Sequence, residues 1–198
     1  MFENTRKYVV ENVLKSYQEF IDHRASNEWG ENQLLRKGIN AAIGLYHLRE
    51  QIPSNIRPSI DDLESLCVDY GLVEDIANVS KHNELTRGSP RISKASQIYE
   101  VMVNTRFEDE QGQYFSCQID VFVILDDGTE KKLVNILYNV ICMWRDVLDN
   151  LGIIDLKDIE PPKVDIPLSR DEAYNEGGIQ AFVEYRNRWQ CRFMKFNY

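Results

Sequence analysis

Apolar residues recur at three- and four-residue intervals over residues 3 to 24, where Val9, Val10, Val13, Leu14, Tyr17, Phe20 and Ile21 mark one face of a predicted first helix. Asn27 to Gly30 punctuates it. A second helix is predicted from about 31 to 52, with Leu35, Ile39, Ala42, Ile43 and Tyr46 toward a core. Pro53 blocks its extension, because proline lacks the N–H that a helix interior needs. The first two helices are expected to pack as antiparallel neighbours. A third helical stretch opens at Pro58-Ser59 and runs through Leu63, Leu66, Leu72, Val73, Ile76 and Ala77 to about Asn83, ahead of the breaker Gly88-Ser89-Pro90. Gly71 is expected to bend it or to admit another backbone.

The period then changes from helical to alternating. Residues 96 to 107 and 113 to 125 are rich in β-branched and aromatic side chains, and the second run places Phe115, Cys117, Ile119, Val121, Val123 and Leu125 on one face. A hairpin over 96–125 follows, turned by Glu108 to Gly112. Asp126-Asp127-Gly128-Thr129 ends the second strand and offers a cap to a fourth helix. That helix spans about 130 to 151, with Leu133, Ile136, Leu137, Val140, Ile141, Trp144, Leu148 and Leu151 in a wide apolar stripe before Gly152.

The predicted fold class is mainly α with a β-hairpin (α+β): an antiparallel bundle of about four helices over residues 1–152, with the hairpin inserted between helices three and four. Residues 153–178, rich in Pro, Asp and Glu, read as an irregular linker. Residues 179–198 read as a basic aromatic C-terminal helix, with Phe182, Tyr185, Trp189, Phe193 and Phe196 at helical spacing among Arg186, Arg188, Arg192 and Lys195. Such a segment can stack bases, dock a partner or cover the protein's own core. No internal repeat is evident.

Composition narrows the classes. At 198 residues and 43% hydrophobic, with 10 Gly and 6 Pro, the chain is long enough and apolar enough for one globular core. No run reaches the roughly 18 apolar residues of a membrane helix, and the charged N-terminus does not resemble a signal peptide, so a cytoplasmic protein is expected. Cys67, Cys117, Cys142 and Cys191 are widely spaced, as suits free thiols in a reducing compartment. A net charge of -9 argues against non-specific coating of nucleic acid, which needs clustered cations. Local basic clusters remain at Lys81, Arg87, Arg91 and Lys94 and in the C-terminal segment.

At about 100° per residue, Asp75, Asn78 and His82 fall on one side of the third helix, flanked by Lys81. The second helix carries a row of its own, Asn40, Gly44, His47 and Gln51. A histidine can exchange a proton near neutral pH, a carboxylate can orient it, and Lys or Asn can hold a phosphate oxygen. The same spacing also describes the solvent face of any amphipathic helix. No metal site is expected, because Asp75, His82 and His47 supply too few ligands.

The run Asp75-Ile-Ala-Asn78-Val-Ser-Lys81-His82 resembles the motif of the HEPN superfamily, helical domains of ribonucleases, toxins and antiphage-defence proteins. Their motif is Arg, often followed by Asn, then three to five residues and His. Asn78 and His82 match its second part, whereas the Arg would fall at 75, 76 or 77, which here are Asp75, Ile76 and Ala77. The chain also resembles small phage and bacterial proteins with an Ala-Asn-x-x-Lys-His motif, a β-hairpin and a Trp-bearing helix, over residues 30 to 150. The resemblance implies a homodimer whose paired motifs cut RNA without a metal or cofactor. His82 would be general acid or base for the ribose 2′-hydroxyl, Asn78 and Lys81 would hold the phosphate, and Asp75 would orient His82. The alternative is a non-catalytic module of the same fold that binds a protein partner or assembles a complex.

Overall fold

The computed structural model describes residues 2–154, apart from positions 27, 29, 31 and 87, together with the backbone of Arg192–Phe193. The first helix, α1, runs from 3 to 26 in three parts, Glu3–Tyr8, a π-helical Val9–Leu14 and Lys15–Ser26. Thr5, Val9, Val13 and Tyr17 are buried along it at four-residue steps. In an α-helix such a repeat drifts about 40° per step. The wider π winding through Val9 and Val13 reduces that drift and keeps the row on one neighbour. Val10, expected on the apolar face, is 52% exposed instead.

That neighbour is α2, Gln33–His47. The two helices approach closely at Gly44, where an added Cβ would lie 2.9 Å from the Asn12 carbonyl oxygen. Gly44 therefore belongs to a packing face and not to the polar row expected of this helix. The indole N–H of Trp144 donates to the Leu45 carbonyl at 3.2 Å. Just beyond, the chain tightens into a 3-10 turn, Leu48–Gln51, before Pro53.

Two helices replace the expected third one: α3 (Ile60–Leu66) and α4 (Asp69–His82), with Cys67 extended between them at φ −150°. Ser59 and Asp62 cap α3 reciprocally. The Asp69 carboxylate, where α4 begins, accepts from Lys131 Nζ and Asn139 Nδ2, each at 2.7 Å. Those bonds pull α4 toward elements much later in the chain. The break falls at Cys67 and not at Gly71, which lies inside α4.

The hairpin comprises β1 (Ile98–Asp109) and β2 (Gly112–Ile124), in the register Ile98↔Val123, Met102↔Ile119 and Asp109↔Gly112. A short β3 (Glu130–Lys132) adds antiparallel to β2 where the first turn of the fourth helix was expected. Residues 126 to 129 accordingly turn one strand into the next and cap no helix: Asp127 accepts the Thr129 N–H at 2.7 Å, and Gly128 takes φ +85°. The last long helix, α5 (Leu133–Asn150), begins after this strand without a side-chain cap. Arg192–Phe193 forms β4, parallel to β1 at Val103 and Asn104, and the sheet order is β3-β2-β1-β4.

The molecule is thus mixed helix and sheet, α+β. Ile98, Ile119, Val121 and Val123 join apolar side chains of α1, α2, α4 and α5 in one core. On the opposite sheet face Val101, Val103 and Phe122 form a smaller cluster with Tyr99 against it. Phe115, expected on the buried face, is 49% exposed because it lies toward the hairpin tip. A buried ion pair joins α1 to the sheet: Arg24 Nη2 lies 3.1 Å from Asp120 Oδ2, with Lys132 Nζ 3.2 Å from the same oxygen. Among the described residues no helix is long and apolar enough to cross a membrane, and Cys67, Cys117 and Cys142 form no disulfide. Cys191, the expected linker beyond Ile154 and the C-terminal helix lie outside the described residues, except for the backbone of β4.

Candidate functional site

The four residues singled out on the third predicted helix all lie on α4, and they separate into three environments. Asp75 is 8% exposed and turns toward the segment after the helix, where its Oδ2 accepts the Arg91 main-chain N–H at 2.7 Å. The Arg91 guanidinium spans two carboxylates, with Nη1 3.8 Å from Asp75 and Nη2 3.2 Å from Glu64 on α3. Gly71 makes room for it: an added Cβ would stand 2.1 Å from Arg91 Nη1 and 2.4 Å from Glu64 Oε1. A side chain, and not the expected backbone, uses that space. Burial pushes the Asp75 carboxyl above its ordinary value, opposed by the Arg91 N–H and guanidinium and reinforced by Glu74 and Glu64.

Asn78, half-buried, makes no side-chain hydrogen bond among the described residues, and lies near enough to Tyr46 to oppose the rise of its phenol. Lys81 and His82 are exposed at the C-terminal end of α4, with no hydrogen bond or ion pair among the described residues. No side-chain hydrogen bond or ion pair links Asp75, Asn78, Lys81 and His82 to one another. His47 joins none of them; its Nδ1 lies 3.1 Å from Glu50 Oε2. Asn40 and Gln51 are exposed.

A different set of side chains comes together. Tyr46 and Glu50 stand four residues apart at the end of α2 and in the 3-10 turn, and Tyr70, Glu74 and Asn78 stand four residues apart on α4. At this spacing Tyr70, Glu74 and Asn78 share one face of α4, whereas the tighter 3-10 winding turns Glu50 away from the line of Tyr46. The rows meet where the Tyr46 hydroxyl donates to Glu74 Oε1 at 3.4 Å, and the Tyr46 ring lies 5.0 Å from that of His47. Burial raises the Tyr46 phenol above its usual value, with Glu74 and Glu50 adding to the effect and Asn78 opposing it.

Tyr70 begins the row on α4, one turn before Glu74. It is fully buried, edge-on to Trp144 with ring centroids 6.0 Å apart, and its hydroxyl has no hydrogen-bond partner among the described residues. Burial holds its phenol well above the ordinary tyrosine range; Arg49 opposes this, while Glu74, Tyr46 and Glu50 reinforce it. Arg49 itself donates from Nε to the Pro58 carbonyl at 2.8 Å.

The sequence reading assigned Tyr46 to the core and gave no role to Tyr70, Glu50, Glu74 or Glu64. The four-residue spacing within each row was available; the meeting of the rows was not. Among the described residues no group of three or more His, Cys, Asp or Glu could hold a metal ion. Between the two rows the contact shown is that of the Tyr46 hydroxyl with Glu74. Comparison of the chain with protein-family models, with curated proteins and with solved structures returned no match.

Proposed function

We propose that this chain is a non-catalytic binding or assembly module whose helices form a HEPN-like antiparallel bundle carrying a hairpin insert. It would act in the cytoplasm as a homodimer or with a protein partner, as an antitoxin-like subunit or a component of antiphage defence. The observation that carries this reading is the commitment of Asp75 to Arg91. The carboxylate that would orient His82 instead holds the segment after α4, and no other described residue orients the imidazole.

One observation favours the other reading, an RNA-cleaving protein. Lys81 and His82 are exposed at the same helix end, where a phosphate could reach them. Metal-independent cleavage would then use His82 as general acid or base, with a second copy supplying the facing motif.

Purified protein incubated with structured and single-stranded RNA, with and without EDTA and alongside His82→Ala, tests the choice. The module reading expects no wild-type cleavage under any condition. RNA cleavage that His82→Ala abolishes would overturn it.

A further inference from the structure

We propose that the basic aromatic segment, residues 179–198, lies across the second face of the sheet as its cover, anchored there by β4. This surface is separate from α4 and its motif residues, on which the module reading turns. Successive side chains of a strand point to opposite faces, and paired residues of neighbouring strands share a face. The register therefore puts Ile98, Ile119, Val121 and Val123 toward the helices. It puts Tyr99, Val101, Val103, Phe107, Tyr114 and Phe122 on the second face.

The second face carries an apolar strip bounded by two stacked pairs. Tyr99 lies 6.2 Å from Phe122 and Phe107 lies 5.3 Å from Tyr114, between ring centroids, with Val101 and Val103 in the stretch between them. At about 3.3 Å per residue the strip is about 26 Å long. Arg24 of α1 reaches this face at Asp120 and Gln118, the polar positions beside the strip. Among the described residues, however, the cluster of Val101, Val103 and Phe122 with Tyr99 includes no helix side chain. Even so, Val101, Val103, Tyr114 and Phe122 are 9%, 8%, 7% and 6% exposed, a burial that two strands alone do not produce. The rest of the chain must supply the cover.

β4 identifies which part does. Arg192–Phe193 pairs with β1 at Val103 and Asn104, midway along the strip, so the segment is already held at the strip's edge. Strands lie about 4.8 Å apart, which puts β2 about 10 Å from β4, a distance that roughly three extended residues span. Phe182, Tyr185, Trp189, Phe196 and Tyr198 flank β4 in sequence. Aromatic rings pack well on the aromatic and β-branched side chains that make up the strip. Charge agrees with this placement: β4 runs parallel to β1, toward the exposed Glu108, Asp109 and Glu110 of the hairpin turn, and Lys195 follows it closely in sequence. Stacking bases, docking a partner and covering the protein's own surface are the three roles open to such a segment, and the last is the one that buries this strip.

The test is an NOE experiment on the full chain carrying ¹³C-labelled valine methyl groups. Cross-peaks are expected between the methyls of Val101 and Val103 and ring protons within residues 182–198. A second sample, labelled and unlabelled chain unfolded and refolded together, is read through an isotope filter that passes contacts between copies; the cross-peaks should be absent there. Trypsin gives an independent readout. Val103→Asp, which places a charge on the strip, should speed cleavage after Arg186 and Arg188 about tenfold, since cleavage tracks the undocked population. Trp189→Asp should act in the same direction while leaving every described core side chain in place, so it decides the matter if Val103→Asp unfolds the sheet. Amide exchange in α5 reports whether each variant keeps its fold. Absence of the cross-peaks, their passage through the filter, which would seat a second copy on this face, or unchanged cleavage in folded variants would each overturn the proposal.

Discussion

Gly71 and Arg91 show how one missing side chain sets the placement of another. Arg91 arrives from outside the helix, fills the space a Cβ would occupy, and bridges Asp75 and Glu64. Gly71→Ala should displace the guanidinium and lower stability by about 1 kcal/mol, since the atoms it meets are flexible side-chain ends. Thermal denaturation measures the loss, and faster amide exchange at Arg91 would locate it. Asp75 yields a pH prediction whose sign follows from its raised pKa. A carboxyl that binds its proton more tightly when folded adds stability below its ordinary value of 3.8, and that contribution is lost as pH rises through the raised folded value. Asp75→Asn does not titrate, so its stability relative to wild type should improve from about pH 4 toward neutrality. Asp62, Asp126 and Asp127, whose hydrogen bonds lower their values, titrate in the opposite sense but equally in both proteins. A stability difference that stays flat in urea denaturation across this window would contradict the prediction.

At the scale of elements, boundaries written in local chemistry could be read, whereas those imposed by distant contacts could not. Pro53 ends the second helix, and Ser59 with Asp62 starts α3, because proline and capping residues act on their own backbone. Ser59→Ala should remove about 1 kcal/mol of stability, measured by chemical denaturation. The break at Cys67 was invisible because Leu63, Leu66 and Leu72 continue the helical period across it; Asp69 sets the new direction through Lys131 and Asn139, more than sixty residues away. β3 was missed for a related reason. Glu130-Lys131-Lys132 is short and polar, and only its pairing with Phe122, Val123 and Ile124 makes it a strand. Tyr46 packs against the core as its spacing predicts, and its hydroxyl reaches Glu74 on the next helix, which the spacing does not show. Periodicity describes neighbours within one element; the contact of Tyr46 with Glu74 is made between two.

At the scale of the whole molecule, Arg24 and Asp120 join the helical layer to the sheet. Both side chains are nearly excluded from solvent, at 9% and 2% exposed, so removing one leaves the other's charge buried. Asp120→Ala should cost about 3–5 kcal/mol, visible as a large fall in the urea midpoint. The π-helical stretch of α1 acts across a comparable distance. The helix contains one more residue per turn there than its surroundings, and the part before it carries Thr5, which donates to the Gln51 carbonyl, and Arg6, which donates to the Ile153 carbonyl. Six residues at π winding turn through about the same angle as five at regular winding, so the stretch takes up one residue without rotating what precedes it. Deleting one residue between Val9 and Leu14 should therefore leave Thr5 and Arg6 facing Gln51 and Ile153, whereas deleting one from the regular winding of Lys15–Ser26 would turn them away by about 100°. The π stretch is thus the place along α1 where the chain can change length by one residue and keep its remote bonds.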